Sequence, residues 1–441
     1  MPKSDNSSAA SQPSRRAFLK TSTAAAAGAL AGGLSIGRSA HAAEDGTLKV
    51  GLIGCGGRGT GAAVNALSAD PNTTLTALAD AFADRMAGSL KTLKQRFGDR
   101  VTADEGTCFL GFDAYQKLID SGVDVVILAT PPHFRPIQLK AAIDAGKHVF
   151  CEKPVAVDGP GVRSVLATTE EAGKKGLSLV SGLCWRYHLG VKETMQRVAD
   201  GAIGDIVSIQ ETYNTGHVGR SQPRQPEWTE MEYQLRNWYF FTWLSGDHNV
   251  EQHVHSLDKT SWVMGDQPPL RAWGLGGRQV RTDPVYGDIF DHHAVVYEYD
   301  KGVRAYAYCR QQPECWSSTE DYFFGTKGTC NVLNKYRIEG ANPWRYEGPG
   351  CNMYEEEHKA LFQSIRSGEP INNGRYMAVS TMLAILGRMV TYTGQAISWD
   401  DALNSQETLS PESYSWDAAP PTVPGPDGSY PIAMPGQTQL V

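Results

Sequence analysis

Short apolar segments alternate with amphipathic segments over the first half of the chain. In stretches such as 61–68 and 134–145, apolar residues recur every three or four positions, which is typical of a helix. The apolar segments are predicted as strands at Lys49–Gly54, Leu75–Asp80, Val123–Thr130, His148–Cys151 and Leu177–Gly182. Continuous apolar strands separated by helices are typical of a parallel sheet covered on both faces, so we expect a doubly wound α/β domain over residues 47–183.

After about residue 202 the pattern changes to alternation with a period of two. Successive strands without intervening helices are predicted at Asp205–Tyr213, Leu270–Gly276, His293–Tyr299, Val303–Cys309 and Tyr322–Phe324. This order predicts a largely antiparallel open sheet in a second, α+β domain over residues 184–400. Two late helices, 354–366 and 378–393, are expected to pack back on the first domain, and residues 405–441 are expected to form an extended arm.

The first 42 residues have the composition of an export leader. The stretch Ser14–Lys20 contains Arg15 and Arg16 and has the form of a twin-arginine signal, and an Ala- and Gly-rich run then ends in a cleavage pattern at residues 40–42. This run is too short and too weakly apolar for stable membrane insertion. We expect the folded protein to be recognised by the twin-arginine export machinery and released into the periplasm.

Charge and composition narrow the classes of partner. Without the predicted leader, Lys and Arg number 36 against 47 Asp and Glu, compared with 41 against 48 in the whole chain. An acidic chain without a basic stripe does not suit nucleic acid or an anionic membrane surface. The eight cysteines show no paired short spacing, and a protein that folds before export matures in a reducing compartment, so free thiols are expected.

A glycine-rich turn follows the first predicted strand and opens a predicted helix. Its backbone N–H groups and the helix dipole are suited to binding a pyrophosphate. Asp80 ends the next predicted strand, 21 residues after Gly59. A carboxylate at this position accepts a hydrogen bond from a ribose 2′-hydroxyl and repels a 2′-phosphate. These features predict an NAD site, with NAD preferred over NADP; an ordinary glycine turn followed by a capping aspartate is the alternative.

Two further strand ends border the same crevice. Pro131 and His133 follow one predicted strand, and Glu152 and Lys153 follow another. Because the carboxyl ends of parallel strands border the ligand, Lys153 is placed to face the nicotinamide end and to act in general acid–base catalysis, although a surface lysine is the alternative. The residues expected at the cofactor are Gly54, Gly56, Gly57, Arg58, Gly59, Asp80, Thr130, Pro131, His133, Glu152 and Lys153.

The combination of this glycine-rich turn with the Glu-Lys-Pro sequence at 152–154 resembles the glucose-fructose oxidoreductase / inositol dehydrogenase (Gfo/Idh/MocA) family over nearly all of residues 47–404. The resemblance implies a Rossmann domain, an α+β second domain, a nicotinamide cofactor and a carbohydrate substrate. The family has a D-x-x-x-H motif whose aspartate and histidine contact the substrate; His255 matches the histidine, and Glu251 stands at the aspartate position. The resemblance also implies that Arg186, with Tyr187 beside it, contacts the substrate.

Asp247, Glu251 and His255 recur every four residues, so a single helix would present them on one polar face. On such a face Asp247 and Glu251 would bind substrate hydroxyls, and His255 would relay a proton. The two carboxylates would raise the pKa of His255. A metal site is the competing interpretation, with ligands drawn from Glu251, His253, His255, His292 and His293. Since dehydrogenase chemistry needs no metal, none is expected.

Together these expectations describe an NAD-dependent oxidoreductase that moves hydride between a sugar or polyol carbon and a tightly retained cofactor. Free nicotinamide nucleotide is scarce outside the cytoplasm, so the cofactor would stay bound and be reoxidised in place. Two other classes remain open: a glycosidase that uses bound NAD through transient oxidation and elimination, and a non-catalytic sugar-binding protein. The open antiparallel sheet would leave a face that needs cover, so a homo-oligomer is expected.

Overall fold

A computed structural model describes residues 46–333 and 335–440 of the protein. The predicted leader, with Arg15, Arg16 and the cleavage pattern at 40–42, lies outside the described residues. The described chain builds two sheets with helices packed against them. None of the described helices has the length and hydropathy that a bilayer span requires.

The first sheet has six parallel strands in the order β3-β2-β1-β4-β5-β6. These strands are β1 Leu48–Ile53, β2 Thr73–Asp80, β3 Cys108–Leu110, β4 Val125–Leu128, β5 His148–Cys151 and β6 Leu179–Ser181. The helices between them are α1 Gly57–Ala69, α2 Ala83–Phe97, α3 Ala114–Asp120, α4 Arg135–Asp144 and α5 Gly159–Lys174. The doubly wound prediction is confirmed. The short strand β3 was missed because three residues carry no detectable periodicity.

Burial explains why these segments adopt their structures. All four residues of β4 are buried, as in a strand that is covered on both faces. Helix α1 turns Ala62, Ala63 and Ala66 toward the sheet, and these small side chains let the helix approach the strands closely. Helix α5 begins at Asp158, whose carboxylate accepts a hydrogen bond from the Gly161 N–H.

The second sheet has nine strands in the order β14-β13-β12-β11-β7-β10-β9-β8-β15. They are β7 Ile206–Thr215, β8 Arg271–Gly277, β9 His292–Glu298, β10 Arg304–Gln311, β11 Ser318–Gly325, β12 Gly328–Asn331, β13 Arg337–Gly340, β14 Trp344–Arg345 and β15 Ile397–Ser398. All neighbours pair antiparallel except β7 and β10, which are parallel. The prediction of a largely antiparallel sheet is therefore confirmed.

The remaining helices connect the two sheets. They are α6 Leu189–Ala199, α7 Glu230–Arg236, α8 Thr242–Ser245, α9 His248–Glu251, α10 Val254–Val263, α11 Met353–Ser367, α12 Gly374–Thr393 and α13 Trp399–Asn404. Helix α11 packs on α1, whereas α12 packs on α5, α10 and β8. Both late helices end at glycines with left-handed backbone, Gly368 and Gly394. Residues 405–440 contain no helix or strand.

Candidate functional site

A cavity of about 370 Å³ lies at the carboxyl ends of β1, β2, β4 and β5. This edge of the sheet contains the point between β1 and β4 where the strand order reverses, which is where open α/β sheets bind ligands. The residues predicted at the cofactor or in catalysis that line the cavity are Gly54, Gly56, Gly57, Arg58, Gly59, Asp80, Thr130, Pro131, Glu152, Lys153, Glu251 and His255.

The glycines of the turn have two different roles. A Cβ atom on Gly59 would lie 1.8 Å from the carbonyl oxygen of Gly54, and one on Gly54 would lie 2.6 Å from the backbone of Ala129. Packing within the protein therefore requires these two glycines. A Cβ on Gly56 or Gly57 would meet no atom within 4 Å. Their missing side chains instead keep open the space at the helix N-terminus that a pyrophosphate needs.

Asp80 lies at the end of β2 beside this turn. Its carboxylate accepts the N–H of Cys55 at 2.6 Å and the N–H of Phe82 at 2.8 Å. Burial raises the pKa of Asp80, although both N–H bonds favour the charged form. Arg85 also lines the cavity, and its guanidinium stacks 4.9 Å from the Phe82 ring centroid. The carboxylate is thus fixed in orientation at one end of the cavity.

Arg135 connects two strand ends beneath the cavity. Its guanidinium donates to the carbonyl oxygen of Thr130 at 2.7 Å and to that of Pro154. The Thr130 hydroxyl donates to Gln138 at 2.7 Å. Arg135 and Gln138 both come from α4 and line the cavity. They were not predicted from the sequence because no motif marks them.

Glu152 acts on the glycine-rich turn through Arg58. Its carboxylate is 2.9 Å from Arg58 Nε and is almost fully buried. The Arg58 guanidinium also stacks 4.9 Å from the Tyr354 ring centroid on α11. The structure therefore fixes Arg58 at the turn from two sides.

Lys153 and Glu251 form an ion pair inside the cavity. Lys153 Nζ lies 2.9 Å from Glu251 Oε1 and also donates to the Glu251 backbone carbonyl. Both side chains are mostly buried, with exposed fractions of 13% and 18%. The peptide bond between Lys153 and Pro154 is cis. Glu251, which replaces the aspartate of the family motif, thus reaches the lysine of the Glu-Lys-Pro sequence.

His255 lines the same cavity, but its environment differs from the one expected. Burial, followed by the positive charges of Lys153, Lys259 and Arg58, holds the pKa of His255 well below its ordinary value. The expected rise in the pKa is wrong because burial, and after it the nearby cations, disfavour the charged imidazole. His255 is therefore neutral at neutral pH, and its Nδ1 has no hydrogen-bond partner among the described residues.

The single helix predicted over Asp247, Glu251 and His255 does not form. The chain breaks into α9 and α10, and Asp247 precedes α9 with a positive φ of 78°. The Asp247 carboxylate is fully buried and accepts from the His248 and Phe290 N–H groups and from the Tyr392 hydroxyl. Asp247 therefore stabilises the turn that precedes Glu251 and does not face the cavity.

Three more residues predicted at the site lie elsewhere. Arg186 is buried against Asp258 and Asp266 and does not line the cavity. The Tyr187 hydroxyl donates to Asn373 at 2.7 Å. His133 turns away from the cavity and is 2.8 Å from the Tyr414 hydroxyl.

The ligands considered for a metal do not all converge. Among the described residues, Asp247, His248 and His293 are the ones whose ligand atoms gather, all within 4.8 Å. Asp247 Oδ1 is 2.7 Å from His248 Nδ1 and 3.2 Å from His293 Nε2. The shorter spacing is that of a direct contact between the two side chains, since two ligands at about 2.0–2.1 Å around a tetrahedral zinc ion would be farther apart.

Comparison with known proteins identifies the first domain. Residues 48–179 match the model of the oxidoreductase family with an NAD-binding Rossmann fold, Gfo/Idh/MocA. A solved structure, aldose-aldose oxidoreductase from Caulobacter crescentus complexed with glycerol, has the same fold at a TM-score of 0.63 and 21% identity, covering 80% of this chain and 99% of that one.

Curated relatives match the chain at low identity. The 2,7-anhydro-N-acetylneuraminate hydratase of Escherichia coli is 26% identical over 212 residues, which is 48% of this chain and 51% of that protein. The chain thus spans about half the length of this relative. Myo-inositol 2-dehydrogenase of Thermotoga maritima is 26% identical over 338 residues, which is 73% of this chain and 90% of that protein.

Aromatic side chains form a large part of the remaining cavity wall. These residues come from loops and helices far apart in the sequence, and no motif predicted them: Phe82, Phe112, Tyr115, Phe134, Leu235 and Tyr354. An apolar cleft with a few polar groups at its ends suits a flat ring system held beside a reactive centre. The polar end contains Lys153, Glu251 and His255, which can exchange protons with a hydroxyl group.

Proposed function

We propose that the protein is an NAD-dependent oxidoreductase that transfers hydride between a sugar or polyol carbon and the nicotinamide ring. The observation that carries this proposal is the placement of Lys153, Glu251 and His255 in one cavity with the glycine-rich turn and Asp80. A dinucleotide along that cavity would have its ribose at Asp80 and its reactive ring at Lys153, because these residues end β2 and β5 on opposite sides of the turn.

The residues present fit NAD. Gly56 and Gly57 leave room for a pyrophosphate, and Arg58 supplies a positive charge beside it. The Asp80 carboxylate is fixed by two backbone N–H groups and keeps lone pairs for ribose hydroxyls. Its negative charge disfavours a 2′-phosphate, which supports NAD over NADP.

Bound NAD would supply the hydride acceptor. The neutral imidazole of His255 can take the proton that the oxidised hydroxyl releases. Lys153 lines the cavity, and the Glu251 carboxylate and carbonyl oxygen, which accept hydrogen bonds from its ammonium group, keep that group oriented. The similarity to a myo-inositol 2-dehydrogenase over 90% of that protein's length supports a polyol or sugar as the substrate.

A second candidate is a hydrolytic or hydrating enzyme that uses NAD transiently, such as a glycosidase that oxidises the sugar, eliminates the leaving group and returns the hydride. This candidate is favoured by the similarity to a 2,7-anhydro-N-acetylneuraminate hydratase, which covers about half the length of that protein. The same proton-transfer groups serve both reactions. The two differ in whether the hydride is returned before the product leaves.

The test is to purify the protein natively, identify any bound nucleotide by mass, and add a panel of sugars, polyols and glycosides. Lasting change in reduced-cofactor absorbance supports the oxidoreductase, whereas release of the aglycone without net redox change supports the second candidate. Lys153→Met should lower turnover about 10²- to 10⁴-fold, the usual contribution of a proton-transfer group. Lys140→Met is the matched control, since Lys140 is an exposed lysine of the same domain.

If Lys153→Met changes no activity on any compound of the panel while nucleotide stays bound, the oxidoreductase proposal fails. A protein that binds sugars but turns none over would be the non-catalytic binding protein. A protein that binds no nicotinamide nucleotide excludes both candidate reactions.

We further propose a homo-oligomer that covers the outer face of the second sheet. Strand β9 alternates between buried and partly exposed residues, and Leu275 on β8 is 79% exposed, with Tyr308 on β10 38% exposed. An apolar open face of this kind favours association. Light scattering should give a mass above that of one chain, and Leu275→Glu should reduce it.

We also propose export by the twin-arginine route and a periplasmic location, on the basis of the leader predicted at residues 1–42. Replacing Arg15 and Arg16 with lysines should keep the protein in the cytoplasm in a cell-fractionation experiment. Export that continues after this change contradicts the proposal. In the periplasm a retained cofactor must be reoxidised in place.

A further inference from the structure

The C-terminal arm packs against the wall of the cofactor cavity. The Trp416 ring lies 4.8 Å from the Phe112 ring and 5.4 Å from the Phe82 ring, measured between centroids. Phe82 and Phe112 line the cavity, whereas Trp416 lies behind them and is not among its lining residues. The arm thus contacts the cavity through two aromatic side chains.

The position of this wall assigns it to one end of a dinucleotide. Phe82 follows β2 and Phe112 follows β3, and these strands lie on the side of β1 away from Lys153. With the pyrophosphate at the turn after β1 and the reactive ring near β5, the other nucleoside lies toward β2 and β3. Phe82 and Phe112 therefore wall the adenine end.

The arm is fixed on both sides of Trp416. Before it, the Tyr414 hydroxyl is 2.8 Å from His133 Nε2, and the Tyr414 ring lies 5.7 Å from Phe134. After it, the carbonyl oxygen of Thr422 accepts from Gln234 Nε2 at 2.7 Å. Farther along, Tyr430 is 5% exposed, and its hydroxyl donates to Glu230 at 2.6 Å.

These anchors lie on different parts of the fold. His133 and Phe134 lie before α4 of the first sheet's layer, whereas Gln234 and Glu230 belong to α7. The segment 414–422 between them has no helix or strand of its own, so its position depends on these side-chain contacts. It is a strap behind the Phe82 and Phe112 rings, attached at Phe134, which lines the cavity, and at His133 and Gln234, which do not.

We propose that the arm is part of the nucleotide site and that Trp416 is a positioning residue that slows release of the adenine end. This inference rests on the proposed function, in which the cavity binds NAD. Trp416 packs against both Phe82 and Phe112 and so restricts the movement of the wall at the adenine end. Retention of the cofactor then requires no covalent bond.

The experiment measures release of NAD from the natively purified protein after excess nucleotide is removed. Excess alcohol dehydrogenase with ethanol reduces NAD as it is released, so the reduced-cofactor absorbance reports the release rate. Trp416→Ala should release NAD about tenfold faster, which corresponds to about 1.4 kcal/mol. Trp416→Phe keeps an aromatic ring in place and should restore most of the slow release.

Turnover separates positioning from general damage to the fold. At saturating NAD, Trp416→Ala should keep the wild-type kcat on any substrate found. The variant should differ only in needing a higher NAD concentration for half-maximal activity. Trp316→Ala is the matched control, because that tryptophan is 74% exposed and does not line the cavity. It should release NAD at the wild-type rate.

Tyr414→Phe provides a second variant if Trp416→Ala does not fold. It removes the hydroxyl that contacts His133 while keeping the ring, and it should also speed release. Unchanged release from whichever of these variants folds would overturn the inference while leaving the NAD site intact. A wild-type protein that binds no NAD would overturn the proposed function and this inference together.

Discussion

Removing the Arg186 side chain tests whether this residue supports the fold or contacts a substrate. The family resemblance implies a substrate contact, but the guanidinium is 9% exposed and lies in an ionic cluster. Nε is 2.9 Å from Asp258 Oδ1, and Nη2 is 2.6 Å from Asp266 Oδ1. The guanidinium also stacks 3.9 Å from the Tyr376 ring centroid.

The cost of Arg186→Ala follows from the burial of its partners. Removing one partner of a buried pair typically destabilises by about 3–5 kcal/mol, because the other charge stays buried. Asp258 is 1% exposed but keeps a 2.8 Å hydrogen bond from Ser380. Asp266 is 29% exposed and remains partly hydrated, so losing its ion pair with Arg186 adds less than about 1 kcal/mol to the destabilisation. We therefore expect a loss near the lower limit, about 3 kcal/mol.

The loss should depend on pH in a defined direction. Burial raises the pKa of Asp258 even with Arg186 beside it, and loss of the cation raises it further. A carboxyl group with a raised pKa binds more protons in the folded state, so its contribution to stability decreases as pH rises through that pKa. The loss in free energy of unfolding caused by Arg186→Ala should therefore be larger in mildly alkaline than in mildly acidic buffer.

Urea unfolding followed by circular dichroism measures the free energy of unfolding, and NAD binding is measured on the same samples. Arg337→Ala is the control, since this exposed arginine pairs with an exposed Glu339 and should cost less than about 1 kcal/mol. NAD affinity should be unchanged in both variants. If Arg186→Ala unfolds like the control but raises the substrate KM, Arg186 contacts the substrate and the structural role is refuted.

Three further substitutions and a pH profile test the cofactor site and the proton acceptor. Gly59→Ala should prevent folding because its Cβ would meet the Gly54 carbonyl oxygen, whereas Gly57→Ala should fold but bind NAD weakly. Circular dichroism measures the folding of both variants, and titration measures their NAD binding. A Gly59→Ala protein that folds would contradict the packing argument. Asp80→Ala should weaken NAD binding about 10- to 100-fold and reduce the preference for NAD over NADP, so an unchanged ratio of the two dissociation constants would contradict its role. Because the pKa of His255 is well below 6.5, the imidazole stays unprotonated as pH falls through that value, and kcat/KM for hydroxyl oxidation should not decline until lower pH; a decline centred at or above 6.5 would contradict this.

The sequence alone was sufficient for the fold of the first domain and the polar ends of its cavity. The strand, glycine-rich turn and helix follow one another within residues 48–69, and Glu152 and Lys153 directly follow β5. Signals of this kind are local, because burial of a strand and the demands of a tight turn are decided by neighbouring residues. The antiparallel second sheet was likewise predicted from the alternation along its longer strands, while the short β12 to β15 were missed.

Tertiary structure decided which polar residues face the cavity. A spacing of four residues suggested that Asp247 and Glu251 share one face, but Asp247 is bound by Tyr392, 145 positions later, and the helix breaks. Arg186 is neutralised by Asp266, 80 positions away, and is drawn out of the site. Buried charges and polar groups must find partners, and the fold supplies those partners from distant segments. For the same reason, the position of Trp416 behind the adenine wall could not be read from the composition of the arm.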